Sequence, residues 1–336
     1  MNPSHPSRRR RASQMGVESL EGRQLLTGSA GSTFAIVPGT ISQNGGTSSF
    51  TFTIDPTHFT MPKSGKIVIG IDVATQTGSS LVPYITGVTD AQGHAVAGTT
   101  HARYTPGLTR TATSYGNQTS AVLTPLTLAP GNKAETYTVT VKGEKNTSGS
   151  YLLGFYLAGD ANGDGIVNQS DISTIRQGIG AKASSTTYNF DADANRDGMI
   201  NRADLAVAER NSGAMTTVSP SISANLDPAS DTGVQDRITA LQTVHFTGAV
   251  TPGATVTFTD SNQNIAPVST TANASGNYSV VVNLGSGSNT FDVSTTDAFG
   301  QKISGTIAPV TYDTNAPTSL ITVAPTSSSS STTTTS

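Results

Sequence analysis

The pattern of apolar and polar positions divides the chain into three stretches, and strands form the first of them. In residues 49–54 and 136–141, aromatic and aliphatic side chains alternate with threonine or serine. Residues 66–73 and 151–157 instead run apolar over the length of a strand, and Gly, Pro, Asn and Asp separate such segments, as turns require. An apolar face backed by a polar one is typical of an antiparallel sheet with one wet side. The pattern therefore predicts a β-sandwich over residues 31–158.

The pattern changes over residues 159–213, which we call the two-loop module. Apolar residues here recur at helical rather than strand spacing, which predicts two short helices with one buried stripe each. The stripes are formed by Ile172, Ile175 and Ile179 and, more briefly, by Leu205 and Ala208. Gly178 and Gly180 are expected to end the first helix, and the segment from Asn211 to Gly213 the second.

Strand signals return after the module. Short apolar runs bounded by turn residues follow one another from Val218 to Asp313, a spacing typical of an immunoglobulin-like sandwich. We place this domain at residues 214–313. Residues 314–336 end in a Ser/Thr run that cannot bury a core and is expected to be disordered. The predicted fold class is therefore mainly β and multidomain, with a small α-helical module between two sandwiches and disordered ends.

Each predicted helix follows a twelve-residue segment of the same pattern. Residues 160–171 and 193–204 both carry oxygen-bearing side chains at positions 1, 3, 5, 9 and 12 and glycine at position 6. This is the ligand register of an EF-hand-type loop, whose hard oxygens Ca²⁺ prefers and whose position 7 binds through its backbone carbonyl. The predicted metal ligands are Asp160, Asn162, Asp164, Ile166, Asn168 and Asp171 in the first loop and Asp193, Asn195, Asp197, Met199, Asn201 and Asp204 in the second.

Two loop positions are expected to have structural roles as well. Val167 and Ile200, at position 8, are predicted to point inward and to pair the two loops as a small core. The aspartates at position 12, Asp171 and Asp204, are expected to start the helices while also coordinating the ion.

A strand leads directly into the first loop, and position 12 is Asp rather than the Glu of ordinary EF-hands. In both respects residues 159–213 resemble a type I dockerin. The resemblance implies two bound calcium ions and docking onto a cohesin-like protein module. It also implies partner contacts at loop positions 10 and 11 and on the helices, which here are Gln169, Ser170, Arg176, Gln177, Arg202, Ala203, Glu209 and Arg210. The alternative is a calcium-stapled spacer between two β-domains.

The third stretch is similar to the bacterial Ig-like repeats of adhesins and biofilm-surface proteins. The similarity lies in the segment Asp231-Thr-Gly and in the turn Thr296-Asp-Ala-Phe-Gly. In those repeats, carboxylates at the ends of the domain can hold calcium. The candidates for such a further ion are Asp231, Asp236, Asp297 and Asp313, and each is equally well placed as a simple turn former.

Composition narrows the function classes. Charged residues are 12% of the chain and the net charge is −3, so no large basic field recruits nucleic acid. The chain has no cysteine, which excludes disulfides and thiolate metal sites. No run of 18 or more apolar residues exists, so no membrane-spanning helix is expected. No motif fixes a nucleophile or a pair of carboxylates, and an enzyme is therefore not expected.

Residues 1–30 are expected to be a basic leader or targeting segment rather than part of a domain. Within them, Leu20-Glu-Gly-Arg-Gln-Leu-Leu26 resembles the N-terminal LEPR-x-L-L element of secreted and surface proteins of planctomycete-type bacteria, with Gly22 in place of proline. These features together predict a non-catalytic, secreted or cell-surface bacterial protein that uses the module for protein assembly. The alternative is a calcium-rigidified stalk or adhesin whose Ig-like domain contacts a polysaccharide or cell-surface component.

Overall fold

The computed structural model describes residues 25–26, 29–76, 78–103, 118–128, 131, 133–218, 222–250, 253–262, 265–273, 275–296 and 302–315. The strands before the module are β1 (Leu25–Leu26), β2 (Ser29–Ala30), β3 (Thr33–Ile41), β4 (Thr47–Ile54), β5 (Phe59–Thr60), β6 (Ile67–Thr75), β7 (Pro83–Asp90), β8 (Thr100–Arg103), β9 (Gln118–Leu126), β10 (Glu135–Gly143) and β11 (Gly149–Leu157). The module carries the helices α1 (Gln169–Gly178) and α2 (Arg202–Asn211). The strands that follow are β12 (Met215–Thr216), β13 (Ile222–Leu226), β14 (Ile238–Thr239), β15 (Thr243–Ala249), β16 (Thr255–Asp260), β17 (Val268–Thr271), β18 (Asn277–Asn283), β19 (Gly287–Asn289), β20 (Phe291–Thr296), β21 (Lys302–Thr306) and β22 (Val310–Tyr312).

Two antiparallel sheets form the first sandwich. One has the order β4-β10-β7 and the other the order β3-β11-β6-β9-β8. The rings of Phe50 and Phe52 in β4 pack on Phe155 in the facing sheet. On the opposite face of β4 the polar residues pair across strands, as in Thr51 and Thr138, whose hydroxyl oxygens are 3.1 Å apart. The alternation of residues in the sequence therefore corresponds to a sheet with one buried and one solvent-exposed face. The predicted β-rich fold class is confirmed.

The continuous apolar run of β6 is explained by burial on both of its faces. One face lies in the core of the first sandwich. On the other face, Val68 packs with Tyr156 of β11 and with Ala194 and Val207 of the two-loop module. Strands that are covered on both sides carry near-continuous hydrophobic runs because neither face meets water. The module is thus a covering layer of the first sandwich.

The module and the first sandwich share one hydrophobic core. Val167, Ile172, Ile175 and Ile200 belong to the same buried cluster as the sandwich interior. After α2, the chain returns to the sandwich, where β12 pairs with β5. Residues 31–158 and 159–213 are therefore two parts of one packed unit, and the domain limits drawn from the sequence stay predictions.

The second sandwich has its own core. Its sheets have the orders β1-β13-β15-β18 and β17-β16-β20-β21-β2, and a third, smaller sheet has the order β14-β22-β19. Phe246, Phe258 and Phe291 pack against one another in its interior. The alternation of buried and exposed residues along β18 and β20 agrees with the one-sided burial that the sequence predicts for this stretch.

Four residues of the predicted leader take part in the second sandwich. Strand β1 pairs with β13, and β2 pairs with β21. These strands were not predicted from the sequence, because a two-residue strand is too short to show a periodic pattern. Residues 1–24, which include most of the LEPR-like segment, and residues 316–336 of the predicted tail lie outside the described residues. Neither described helix is long and apolar enough to cross a membrane.

Candidate metal centre

The two helices begin on the two loops through the same capping arrangement. The side chain of Asn168 accepts a hydrogen bond from the backbone N–H of Ser170, and Asp171 accepts one from the N–H of Asn168. Asn201 and Asp204 repeat this box at the second helix. The position-12 aspartates were predicted to start the helices. The helices instead start two residues earlier, at Gln169 and Arg202. The helices start at position 10 because the position-9 asparagine is the N-cap and the aspartate lies at the third helical position.

The first loop turns its carboxylates toward one point. Asp160 accepts hydrogen bonds from the backbone N–H groups of Gly163 (2.9 Å) and Gly165 (3.0 Å). Asp171 accepts one from Ala161 (2.9 Å). One carboxylate oxygen from each of Asp160, Asp164 and Asp171 lies within 4.8 Å of the others. Three converging carboxylates are a donor set that Ca²⁺ prefers.

The second loop repeats the backbone pattern of the first. Asp193 accepts hydrogen bonds from the N–H groups of Asp197 (3.1 Å) and Gly198 (2.8 Å). The hydroxyl of Tyr188 also donates to Asp193, at 2.6 Å. Among the described residues, three carboxylates converge within 4.8 Å only in the first loop. The two loops therefore share a backbone pattern and differ in the surroundings of their first ligand.

The electrostatics of both loops favour a bound cation. Burial raises the pKa of Asp160 and of Asp204, each to about 7. Burial also raises the pKa of Asp171 and of Asp193. Carboxylates of the same loop add to these shifts, because like charges disfavour each other's ionised form. The residues present fit calcium, since a divalent ion would offset both the burial and the repulsion of these carboxylates.

The remaining predicted ligands hold the loops in shape. The side-chain amides of Asn162 and Asn195 each donate to the position-5 aspartate of their own loop at 3.0 Å. The backbone N–H groups of Ile166 and Met199 donate to the same aspartates, at 2.9 and 3.0 Å. Direct coordination by these residues, and by the two capping asparagines, stays a prediction.

The position-8 residues are buried in one hydrophobic cluster, as predicted, and their backbones bond the segments that follow the helices. Val167 exchanges hydrogen bonds with Gly213 and Ala214, which follow α2. Ile200 exchanges them with Gly180 and Ala181, which follow α1. Each loop is therefore tied to the end of the opposite helix rather than to the other loop. The two repeats are interlocked because each needs the other to satisfy its backbone.

The apolar stripe of the first helix is shorter than predicted. Ile172 and Ile175 are buried, whereas Ile179 is 46% exposed. The helix ends at Gly178, so Ile179 is its C-cap and no longer follows the helical period. In the second helix Ala208 is fully buried and Leu205 packs at the margin of the core.

The predicted partner-binding residues all lie exposed on the module. Gln169, Ser170, Arg176 and Gln177 on α1, and Arg202, Ala203, Glu209 and Arg210 on α2, are exposed. Arg176 and Glu209 join the two helices by an ion pair of 3.1 Å. Ala203 and Arg210 also line a cleft of about 740 Å³, which Thr100, His101 and Ala102 of β8 line as well. The two halves of the predicted face therefore have different neighbours.

Two buried polar residues that attach the module to the sandwich were not predicted from the sequence. The side chain of Asn211 is fully buried and bonds the backbone of Val68 and of Ala158. Arg196, at position 4 of the second loop, is also fully buried. The sequence contains one difference that could have indicated the role of Arg196. Position 4 is Gly163 in the first loop and arginine in the second.

The candidate carboxylates of the second sandwich make turn contacts. Asp231 accepts a hydrogen bond from the N–H of Arg237, Asp236 from Ile238, and Asp313 from Asn315. Asp297 lies outside the described residues. No group of three acidic or histidine side chains converges in the described part of this sandwich. The further calcium ion stays a prediction.

Comparisons with known proteins identify two of the domains. The model of the type I dockerin domain matches residues 158–211. The chain contains a type I dockerin domain. A bacterial Ig-like domain matches residues 217–314. Dockerin domains bind calcium and cohesin modules, both domain types are non-catalytic, and both are typical of extracellular or cell-surface proteins. The comparisons therefore indicate an extracellular assembly or structural role.

Whole-chain comparisons add little. No curated protein matches the chain. Solved structures that align with it include the BSP domain of a biofilm associated protein, 15% identical, with a TM-score of 0.17 over 89% of this chain and 68% of that one. Another is DesR, a β-glucosidase from Streptomyces venezuelae, 10% identical, with a TM-score of 0.16 over 86% of this chain and 50% of that one. At these TM-scores neither structure carries an argument about fold or function.

Proposed function

We propose that this chain is a non-catalytic, secreted or cell-surface bacterial protein whose dockerin domain binds two calcium ions and docks a cohesin-like module. The observation that carries the proposal is the division of the dockerin surface. The side that packs on the sandwich is buried through Val207, Ala208 and Asn211. The positions that the family uses for its partner stay exposed. A scaffold that buries one side and presents the other is suited to rigid docking.

In the proposed docking function, calcium would order the starts of the two helices. In each loop the ion would be held by the carboxylates at positions 1, 5 and 12, and the last of these is also part of the helix capping box. Ion binding therefore fixes the helix starts, where Gln169, Ser170, Arg202 and Ala203 lie. Ordering these side chains in advance lowers the entropic cost of docking.

The test is binding of the full chain to a panel of cohesin modules, measured by isothermal calorimetry in saturating calcium and in chelator. We expect binding by at least one cohesin in calcium and none in chelator. The paired variant Ser170→Glu with Ala203→Glu should abolish docking while leaving calcium binding intact, because both side chains are exposed. Asp164→Ala with Asp197→Ala should abolish both. Absence of binding to every cohesin by a calcium-loaded chain would refute the docking function.

A second candidate is a calcium-rigidified stalk or adhesin that presents the Ig-like domain to a polysaccharide or cell-surface component. The shared core of the dockerin domain and the first sandwich supports it, because such a joint resists bending. This function predicts that calcium raises the melting temperature while no cohesin binds. The calorimetric panel therefore separates the two candidates.

A further inference from the structure

Arg196 is a buried arginine inside a calcium loop. It occupies position 4 of the second loop, where its backbone adopts φ 60°, and its side chain is 0% exposed. This left-handed conformation is uncommon for residues other than glycine. Full burial of a guanidinium is costly unless it is paired and hydrogen-bonded. Two unfavourable features at one position indicate that its surroundings hold the side chain in place.

The first sandwich supplies much of that environment. The Nη2 atom of Arg196 lies 3.1 Å from the hydroxyl of Ser32, which immediately precedes β3. Its Nε atom lies 3.8 Å from the buried carboxylate of Asp72 in β6. The guanidinium also lies 4.3 Å from the ring centre of Tyr156 in β11, a cation–π distance. The side chain of Arg196 thus reaches out of the dockerin domain into the wall of the sandwich.

The dockerin domain closes the pocket from the other side. The ring of Phe190 lies 3.8 Å from the guanidinium, and Asp191 pairs with it at 3.4 Å. The Nη1 atom of Arg196 donates to the carbonyl of Asp193 at 3.2 Å. Asp193 also supplies the first carboxylate of the second calcium loop. One residue is therefore shared by the ion site and by the arginine pocket.

The corresponding position of the first loop has no such side chain. Gly163 also has a left-handed backbone, with φ 75°, and a Cβ atom there would collide with the backbone of Gly31. At this position the backbone of the first loop lies directly against the backbone of the chain before β3. The second repeat additionally anchors α2 in the sandwich through Asn211. The two repeats are alike in their ligands and unlike in their attachment.

We propose that Arg196 is a positioning residue that locks the second calcium loop to the first sandwich, so that an ion in this loop and the sandwich joint stabilise each other. The inference rests on calcium binding by the dockerin domain, and it does not depend on a cohesin partner. Because the joint holds Asp193 in its liganding position, it favours the ion. By linkage, the ion must favour the joint to the same degree.

The first experiment is a terbium titration of the full chain, read by luminescence on tyrosine excitation. Tyr156 and Tyr188 both hydrogen-bond to the second loop, to Ala194 and to Asp193, so the signal reports mainly on that loop. We expect Arg196→Met to weaken binding there by about tenfold or more, the scale on which supporting residues affect metal sites. Arg196→Lys should recover part of this loss. The control Lys142→Met, which removes an exposed positive charge in β10 outside both loops, should match the unmodified chain.

The sign of the change separates positioning from simple repulsion. If Arg196 only repelled the ion, its removal would strengthen binding, because a positive charge beside Asp193 would be lost. Stronger or unchanged terbium binding in Arg196→Met would therefore overturn the proposal.

A second experiment covers the case in which Arg196→Met does not fold. Asp164→Asn and Asp197→Asn remove the same exposed ligand from the first and the second loop. We expect hydrogen exchange in β6, including the amide of Val68, to rise about tenfold more in Asp197→Asn than in Asp164→Asn at equal calcium. Equal exchange rates in the two variants would refute the proposed role of Arg196 without refuting the proposal that the dockerin domain binds calcium. Absence of calcium binding by the unmodified chain would overturn both.

Discussion

Single residues decide how firmly the dockerin domain is attached to the sandwich, and Asn211 is the clearest case. Its side chain accepts a hydrogen bond from the N–H of Val68 at 2.9 Å and donates to the carbonyls of Val68 and Ala158 at 3.0 and 2.7 Å. An amide suits this place because it offers donors and an acceptor to backbone groups that have no water nearby.

We predict that Asn211→Ala lowers the free energy of unfolding by about 2–4 kcal/mol, because a buried N–H and two buried carbonyls lose a partner. The measurement is urea unfolding of the full chain in saturating calcium. The matched control is Ser212→Ala, the exposed next residue, which should change the free energy by no more than about 0.5 kcal/mol. Equal effects of the two substitutions would show that the amide does not anchor α2.

At the scale of elements, the helices depend on the loops that precede them. In each repeat one aspartate is both the last predicted ligand and the third helical residue, where it bonds the N-cap. The ends of the helices are in turn tied to the opposite loop, since Gly180 bonds Ile200 and Gly213 bonds Val167. Neither repeat can satisfy its backbone alone, so the pair is expected to order as one element.

Removing calcium from the full chain with a chelator is therefore expected to reduce the helical circular dichroism at 222 nm, because the buried carboxylates repel one another without the ion. Returning calcium should restore the signal. Asp164→Ala should require at least about tenfold more calcium for this recovery. Asp55→Ala, which removes an exposed turn aspartate outside the loops, should behave like the unmodified chain. A signal that is insensitive to the chelator would contradict the ligand assignment.

At the scale of the whole molecule, the described residues have two main cores. One combines the first sandwich and the dockerin domain, and the other fills the Ig-like domain. The strands β1 and β2 belong to the second body although the chain continues from them into the first. The chain therefore passes from one body to the other twice, between Ala30 and Thr33 and between Thr216 and Ile222.

Differential scanning calorimetry should show two transitions, of which calcium moves only that of the first body. Two ions at a free concentration of 100 times Kd would add about 5 kcal/mol. For a unit of this size that corresponds to an increase of about 10–20 °C. The transition of the Ig-like domain should stay where it is in chelator. Equal movement of both transitions, or of neither, would contradict the assignment of calcium to the shared body.

Features that depend on spacing within a short segment were predicted from the sequence more successfully than features that depend on distant contacts. The repeated loop-helix arrangement was predictable because its spacing is fixed within short segments, and the position-8 residues were correctly predicted to be buried. The end of the Ile172 stripe was misjudged, because Ile179 keeps the spacing but lies beyond the C-terminus of α1. The predicted helix starts were two residues late, because the position-9 asparagine, and not the position-12 aspartate, is the N-cap of the capping box.

The sequence by itself determined the β-rich class, the Ig-like pattern and the two repeated loops with the helices that follow them, since each depends on short-range periodicity or spacing. Only the tertiary structure decided that the dockerin domain covers β6, that Asn211 bonds the backbone of Val68 in this strand, and that Arg196 is buried between Asp72 and Asp191. These contacts join residues more than a hundred positions apart, apart from the short-range pair of Arg196 and Asp191. Arginine and asparagine ordinarily indicate solvent exposure. Their burial becomes favourable only once folding has brought their distant partners together.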